Sequence, residues 1–166
     1  MSFLITGGTG HTGAPLAQAL VQRGCAVRVG TRAPQQAGQV HFDWLDEQTH
    51  EPALAGVVGL YLLAPPLVSD PASIVGGFVQ RALARGVRRV VLLSSSAIGG
   101  DEPGLGSIER LLRAEVPEWT VLKPSWFMQN FTNLSHHHGR SLAETGQLYT
   151  STGTGRVGFR CSTFAH

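Results

Sequence analysis

FLITGGTGHTGAPLAQAL, residues 3–20, sets three glycines, Gly7, Gly10 and Gly13, between a short apolar run and a stretch with helical spacing. Residues 2–6 read as a buried strand. Leu16, Ala19, Leu20 and Arg23 then recur at helical intervals over about residues 12–22, and Gly24 is a natural stop. In a strand–turn–helix unit the first glycine permits the tight turn. The second lets a pyrophosphate approach the backbone, and the third lets helix and sheet pack closely. The helix N-terminus offers N–H groups and partial positive charge to phosphates. Thr9, His11 and Thr12 lie on the same loop and add donors. The spacing is G-x-x-G-x-x-G rather than G-x-G-x-x-G, and alone it also fits a purely structural turn. The flanking strand, the helix and the position at the start of the chain favour dinucleotide binding.

Outward from this unit, strands are predicted over residues 25–32, 39–44, 57–66, 88–96 and 119–125, with helices over 71–85 and 106–116. Several strands are apolar without alternation, as parallel strands covered on both faces should be. The expected fold class is α/β, a doubly wound parallel sheet of the Rossmann type, in one domain over residues 1–166.

Composition narrows the class further. The 166 residues are 42% hydrophobic and 14% charged, with a formal net charge of +2 and scattered arginines, so no nucleic-acid footprint stands out. Cys25 and Cys161 lack both a disulfide framework and metal-site spacing. The first residues have no basic n-region, and no apolar run approaches the ~20 residues that span a bilayer. A cytoplasmic, enzyme-like domain is the expectation.

About twenty residues beyond the glycines, an acidic residue would hold the 2′-hydroxyl of NAD. The chain has VGTRAP there instead, with Arg32 placed to pair a 2′-phosphate, which favours NADP(H) over NAD(H). A solvent-facing arginine at a loop start is the plainer reading. Asp43, in HFDW, either accepts from the adenine amino group or caps the segment that follows.

Four stretches, LITGGTGHTGAPLAQAL, VRVGTRAP, VVLLSSSA and ERLLRAEVPEWTVLKPSWFMQNF, resemble the NmrA-like group of atypical short-chain dehydrogenases, which are NAD(P)-binding Rossmann proteins. KPSWFMQNF is especially similar to the fungal ergot-alkaloid reductases of that group. The resemblance covers essentially residues 1–160. It implies a phosphate loop of Gly7, Thr9, Gly10, His11, Thr12 and Gly13, and a 2′-phosphate contact at Arg32. It further implies Asp43 and Trp44 by the adenine, and Ala64 and Pro65 along the adenosine ribose. Ser94 and Ser95 would face the nicotinamide, whose pocket Pro124, Ser125, Trp126 and Phe127 would frame. The implied activity is NADPH-dependent reduction of a small organic electrophile such as a quinone or imine. A non-catalytic redox sensor or an inactive relic is the alternative.

The departures are specific. There is no Tyr-x-x-x-Lys; the tyrosines are Tyr61, in an apolar strand, and Tyr149. Leu105 stands four residues before Glu109, where many members place lysine or histidine, and Lys123 stands where the family often has arginine. Hydride transfer needs a positioned nicotinamide and an electrophile, so it does not demand a tyrosine. Catalytic residues are therefore unassigned. The segment over residues 146–159 resembles the family, but RCSTFAH does not continue it. This leads to the expectation that the reading frame departs near Phe159, or that the chain is truncated, with the substrate-binding C-terminal part missing. Trp126, Phe127, Met128 and Phe131 would then be uncovered, and a homodimer is expected.

Other clusters carry less. SHHHGR has adjacent histidines and no acidic or cysteine partner at ligand spacing, so it reads as a solvated loop with no metal. Glu109, among arginines in IERLLR, reads as half of an exposed ion pair. The run SSS lacks a nucleophile elbow, and Cys25 reads as a small buried hydrophobe.

Overall fold

The computed structural model describes residues 1–66, 68, 70–147 and 161–162. Its chain divides into two compact units, the first of residues 1–94 and 98–122, the second of residues 95–97 and 123–166.

In the first unit the elements run β1 (Ser2–Ile5), α1 (Gly13–Gln22), β2 (Ala26–Thr31), β3 (Gln39–His41), α2 (His50–Ala53), β4 (Val57–Leu63), α3 (Pro71–Ala84), β5 (Arg89–Leu93), α4 (Leu105–Glu115) and β6 (Glu118–Leu122). A 3₁₀ turn, Glu47–Thr49, precedes α2. The six strands form one sheet in the order β3-β2-β1-β4-β5-β6, and every pairing is parallel. This is the doubly wound Rossmann order. Its direction reverses between β1 and β4, which opens a crevice beyond their C-terminal ends.

The central strands are apolar because helices cover them. In β4 only Val58 and Leu63 escape full burial. Leu4, Leu60, Leu62, Val90 and Leu92 join Phe78 and Val79 of α3 and Ile108 and Leu112 of α4 in one core. Asp70 caps α3 by accepting from Ala72 N–H at 3.1 Å, and Pro71 occupies the first turn, where no intrahelical donor is needed.

Strand ends are shorter than the sequence predicts. β4 stops at Leu63, ahead of the prolines, and β3 stops at His41 because Asp43–Thr49 curls into turns. Glu109 is a correction of a different kind. It is buried at 1% exposure, not paired at the surface, because α4 turns it inward beneath the end of β5.

The second unit contains β7 (Trp126–Phe127), α5 (Gln129–Thr132), α6 (His137–Thr145) and β8 (Cys161–Ser162), with β7 and β8 paired in parallel. None of these elements was predicted from sequence. The three histidines sit at the start of α6, not in a solvated loop. His136 caps the helix and His138 is 3% exposed against Trp126 and Phe131, with centroids at 4.8 and 5.9 Å. Trp126, Phe127 and Phe131 are half-buried, leaving Met128 the exposed member of the expected apolar face. The segment on which the frame expectation rests lies mostly outside the described residues, as does Tyr149. Among the described residues, no helix is long and apolar enough to cross a membrane.

Candidate functional site

The turn after β1 is built by close backbone contacts. Gly7 has φ of 62° and Gly10 N–H donates to its carbonyl at 3.0 Å, closing the turn. A Cβ on Gly13 would stand 2.4 Å from Gly7 O and 2.7 Å from Gly8 Cα, so the helix begins directly against the loop. Gly8 was missed in the sequence reading. Its Cβ would meet Val29 at 2.6 Å and Ile5 O at 2.9 Å, and the paired glycines in TGGTG were the available signal.

Neighbouring strands brace this turn. Leu63 N–H donates to Thr6 Oγ1 at 2.8 Å, and the Thr6 hydroxyl donates to Tyr61 O at 3.2 Å, locking the ends of β1 and β4 together. Tyr61, buried in β4, reaches Thr12 with its hydroxyl, and burial raises its pKa above the usual 10.0. Thr12 is itself buried, while Thr9, Gly10 and His11 are exposed. Among the described residues, no protein group accepts from the backbone N–H groups of Thr9, His11 or Thr12. Three donors at the mouth of a ten-residue helix are therefore available to an anion.

Beyond the turn lies a cleft of about 440 Å³. Its lining includes Gly7 and Thr9 of the loop, Arg32 after β2, Asp43 and Trp44 after β3, and Ala64 and Pro65 after β4. Seven of the predicted site residues thus meet in one volume. Arg32 is exposed and, among the described residues, engages no carboxylate. The Asp43 carboxylate accepts from Leu45 N–H at 2.9 Å, while Asp46 caps the 3₁₀ turn. Phe42, Leu63 and Gly30 also line the cleft and were not predicted. Gly30 had a signal, a glycine inside a strand, which marks close approach of backbone. Its Cβ would lie 3.2 Å from Ile5 O.

Behind the Asp43 end stands an aromatic group. His50, 1% exposed, stacks on Phe42 with centroids 5.2 Å apart and meets Phe78 edge-on at 5.1 Å. Trp44 packs edge-on against Phe42 at 4.9 Å and Phe78 at 5.2 Å. No sequence pattern singled His50 out.

Ser94, Ser95 and Pro124 do not join the cleft lining. Ser94 is buried and donates to Glu109 Oε1 at 2.7 Å. In the second unit, Ser95 Oγ accepts from Ala97 N–H at 3.2 Å and Pro124 O accepts from Ser96 N–H at 3.0 Å. Among the described residues, no cluster of histidine, cysteine or carboxylates could hold a metal ion.

The residues present fit a dinucleotide: bare backbone donors for a pyrophosphate, an unengaged guanidinium, and an aromatic-backed carboxylate at the far end.

No family model matches the chain. Several curated relatives are oxidoreductases by name. The chain is 42% identical over 159 residues to the uncharacterized oxidoreductase YesF of Bacillus subtilis, covering 94% of this chain and 54% of that protein. It is 34% identical to agroclavine dehydrogenase of Claviceps fusiformis, with 96% and 58% covered, and 33% identical to festuclavine dehydrogenase of Aspergillus fumigatus, with the same coverage. The chain thus spans little more than half the length of these relatives. Among solved structures it is similar to the Citrobacter sp. triphenylmethane reductase complexed with NADP(H), at a TM-score of 0.72 and 21% identity, over 92% of this chain and 58% of that one. It is also similar to a short-chain dehydrogenase/reductase superfamily protein of Agrobacterium tumefaciens with bound NAD, at a TM-score of 0.67 and 22% identity, over 84% and 54%.

Proposed function

We propose that this chain, whose fold is the Rossmann-type NAD(P)-binding fold and whose relatives include oxidoreductases, is the cofactor-binding part of an NADP(H)-dependent reductase of the NmrA-like group. The observation that carries this reading is the cleft that brings Gly7, Thr9, Arg32, Asp43, Ala64 and Pro65 together. The free N–H groups of Thr9, His11 and Thr12 take the pyrophosphate, with Gly10 and Gly13 leaving room for it. Arg32 pairs the 2′-phosphate, a charge-assisted contact that NADH cannot make. Asp43 accepts from the adenine amino group, and Ala64 and Pro65 flank the adenosine ribose. Ser94, at the end of β5, belongs to the nicotinamide side.

The bound cofactor supplies the hydride. The chain's own residues orient it and fix which dinucleotide enters. A substrate that is already electrophilic, an imine or quinone, suits a site in which no Tyr-x-x-x-Lys pair stands ready to donate a proton. The proposed setting is the cytoplasm, and the proposed assembly a homodimer.

Calorimetric titration with NADP⁺ and NAD⁺ tests the reading. Tighter binding of NADP⁺ supports it; absence of binding by either dinucleotide refutes it.

A further inference from the structure

We propose that His50 is a positioning residue for the adenosine end of the cleft, a role that rests on the dinucleotide reading above. Its neutral imidazole bridges the Asp43 carbonyl to the Arg81 guanidinium and thereby fixes Asp43 and Trp44 where the adenine is received.

The bonding settles the tautomer. His50 Nε2 lies 2.9 Å from Asp43 O, and a carbonyl oxygen only accepts. His50 Nδ1 lies 3.3 Å from Arg81 Nη1, and a guanidinium only donates. Nε2 therefore carries the hydrogen and Nδ1 the lone pair. The ring is neutral, and both of its polar atoms are committed. Since Asp43 lines the cleft through the same turn whose carbonyl His50 holds, a change at His50 is passed on to the turn without His50 touching a ligand.

Burial and Arg81 favour that state, whereas the Asp43 carbonyl and two carboxylates favour the protonated ring. Arg81 approaches from α3 and is held there by Glu47 of the 3₁₀ turn. Phe78 of α3 and Phe42 and Trp44 after β3 close the remaining sides with apolar rings. The Asp43 carbonyl, Glu47 and Asp46 pull toward protonation, but burial, the largest influence, and Arg81 oppose it, and the balance lowers the pKa from 6.5. A proton on Nδ1 would point an N–H at a guanidinium that has no lone pair to receive it. The bridge then opens, and the Asp43–Trp44 turn loses its support.

This gives His50 a signature that mere packing lacks. Acid should weaken dinucleotide binding in proportion to His50 protonation, below the ordinary histidine range. A glutamine at this position carries an amide N–H and a carbonyl that can make both contacts, and it does not titrate. A phenylalanine keeps the ring stack and makes neither contact.

The experiment is calorimetric titration of the chain and its His50→Gln and His50→Phe variants with NADP⁺, from about pH 5.5 to about pH 7.5, with thermal melts confirming that each variant is folded. The variants share the ligand's own 2′-phosphate titration, so it cancels in the ratios. Near pH 7.5, His50→Phe should bind about tenfold more weakly, the cost of a buried hydrogen-bond pair, and His50→Gln should recover most of that loss. Toward the acid end of the range, His50→Gln should gain affinity relative to the native chain, because only the native chain takes up a proton at this position. Equal binding by His50→Phe and the native chain at pH 7.5, or parallel pH profiles for His50→Gln and the native chain, would overturn the role of His50 and leave the dinucleotide reading standing. A native chain that binds no NADP⁺ at pH 7.5 removes that reading, and the role of His50 with it.

Discussion

Gly13 begins its helix so near Gly7 that a methyl group on Gly13 would lie 2.4 Å from the Gly7 carbonyl oxygen, well inside van der Waals contact. Both partners are backbone, so neither can swing aside as a flexible side chain would. The glycine loop after β1 and the first helix turn are therefore a single rigid piece.

For that reason Gly13→Ala should be costly twice over. Overpacking against fixed backbone is expected to destabilise the chain by about 1–3 kcal/mol in urea unfolding, and the displaced loop should bind NADP⁺ at least about tenfold more weakly. A variant with native stability and native affinity would mean that the loop yields freely.

Arg32 stands in the cleft lining without a carboxylate partner among the described residues. Arg32→Ala should weaken NADP⁺ binding by about tenfold to a hundredfold, the range of a charged hydrogen bond, and leave NAD⁺ binding nearly constant. Being exposed, the substitution should hardly move the melting temperature. Equal losses for both dinucleotides would remove Arg32 from the 2′-phosphate role.

Tyr61 and Thr12 tie β4 to the start of α1. Tyr61→Phe keeps the ring and removes the tie, at a cost of about 1 kcal/mol. The phenol also makes a pH prediction. Its folded pKa is raised above 10.0 by burial, so the unfolded chain releases this proton first as the solution becomes alkaline. Stability should be complete below pH 10 and decline above it in the native chain, and Tyr61→Phe should lack that part of the decline. Chemical unfolding at stepped alkaline pH distinguishes the two.

Ser94 donates to the buried Glu109 carboxylate at 2.7 Å. Ser94→Ala withdraws that donor from a group with almost no access to water, and should destabilise the chain by about 1–3 kcal/mol. Ser94→Thr retains the hydroxyl and should recover part of the loss. Urea midpoints for the two variants, compared at one pH, provide the check.

Much of the site was legible because local chemistry leaves local marks. Glycines flanked by a strand and a helix predicted the turn, and the arginine ending β2 fell where the cleft is lined. Gly8 and Gly30 were legible in principle, since a glycine inside a strand or doubled at a turn signals close approach. His50 was not. It follows a 3₁₀ turn with no periodic pattern, and its meaning lies in Asp43, Arg81 and Phe78, of which Arg81 and Phe78 stand about thirty residues away in sequence. Glu109 was misread for a related reason. Flanking arginines suggested a surface, while a helix sends successive residues to different sides.

Sequence alone determined the alternation of strands and helices, the glycine turn and the cation after β2, because propensity, periodicity and backbone permissiveness are properties of neighbouring residues. Tertiary structure alone decided strand order, the cleft and the burial of His50, Glu109 and His138. Those depend on which distant surfaces exclude water from one another, and the chain acquires that property only when the sheet closes its core.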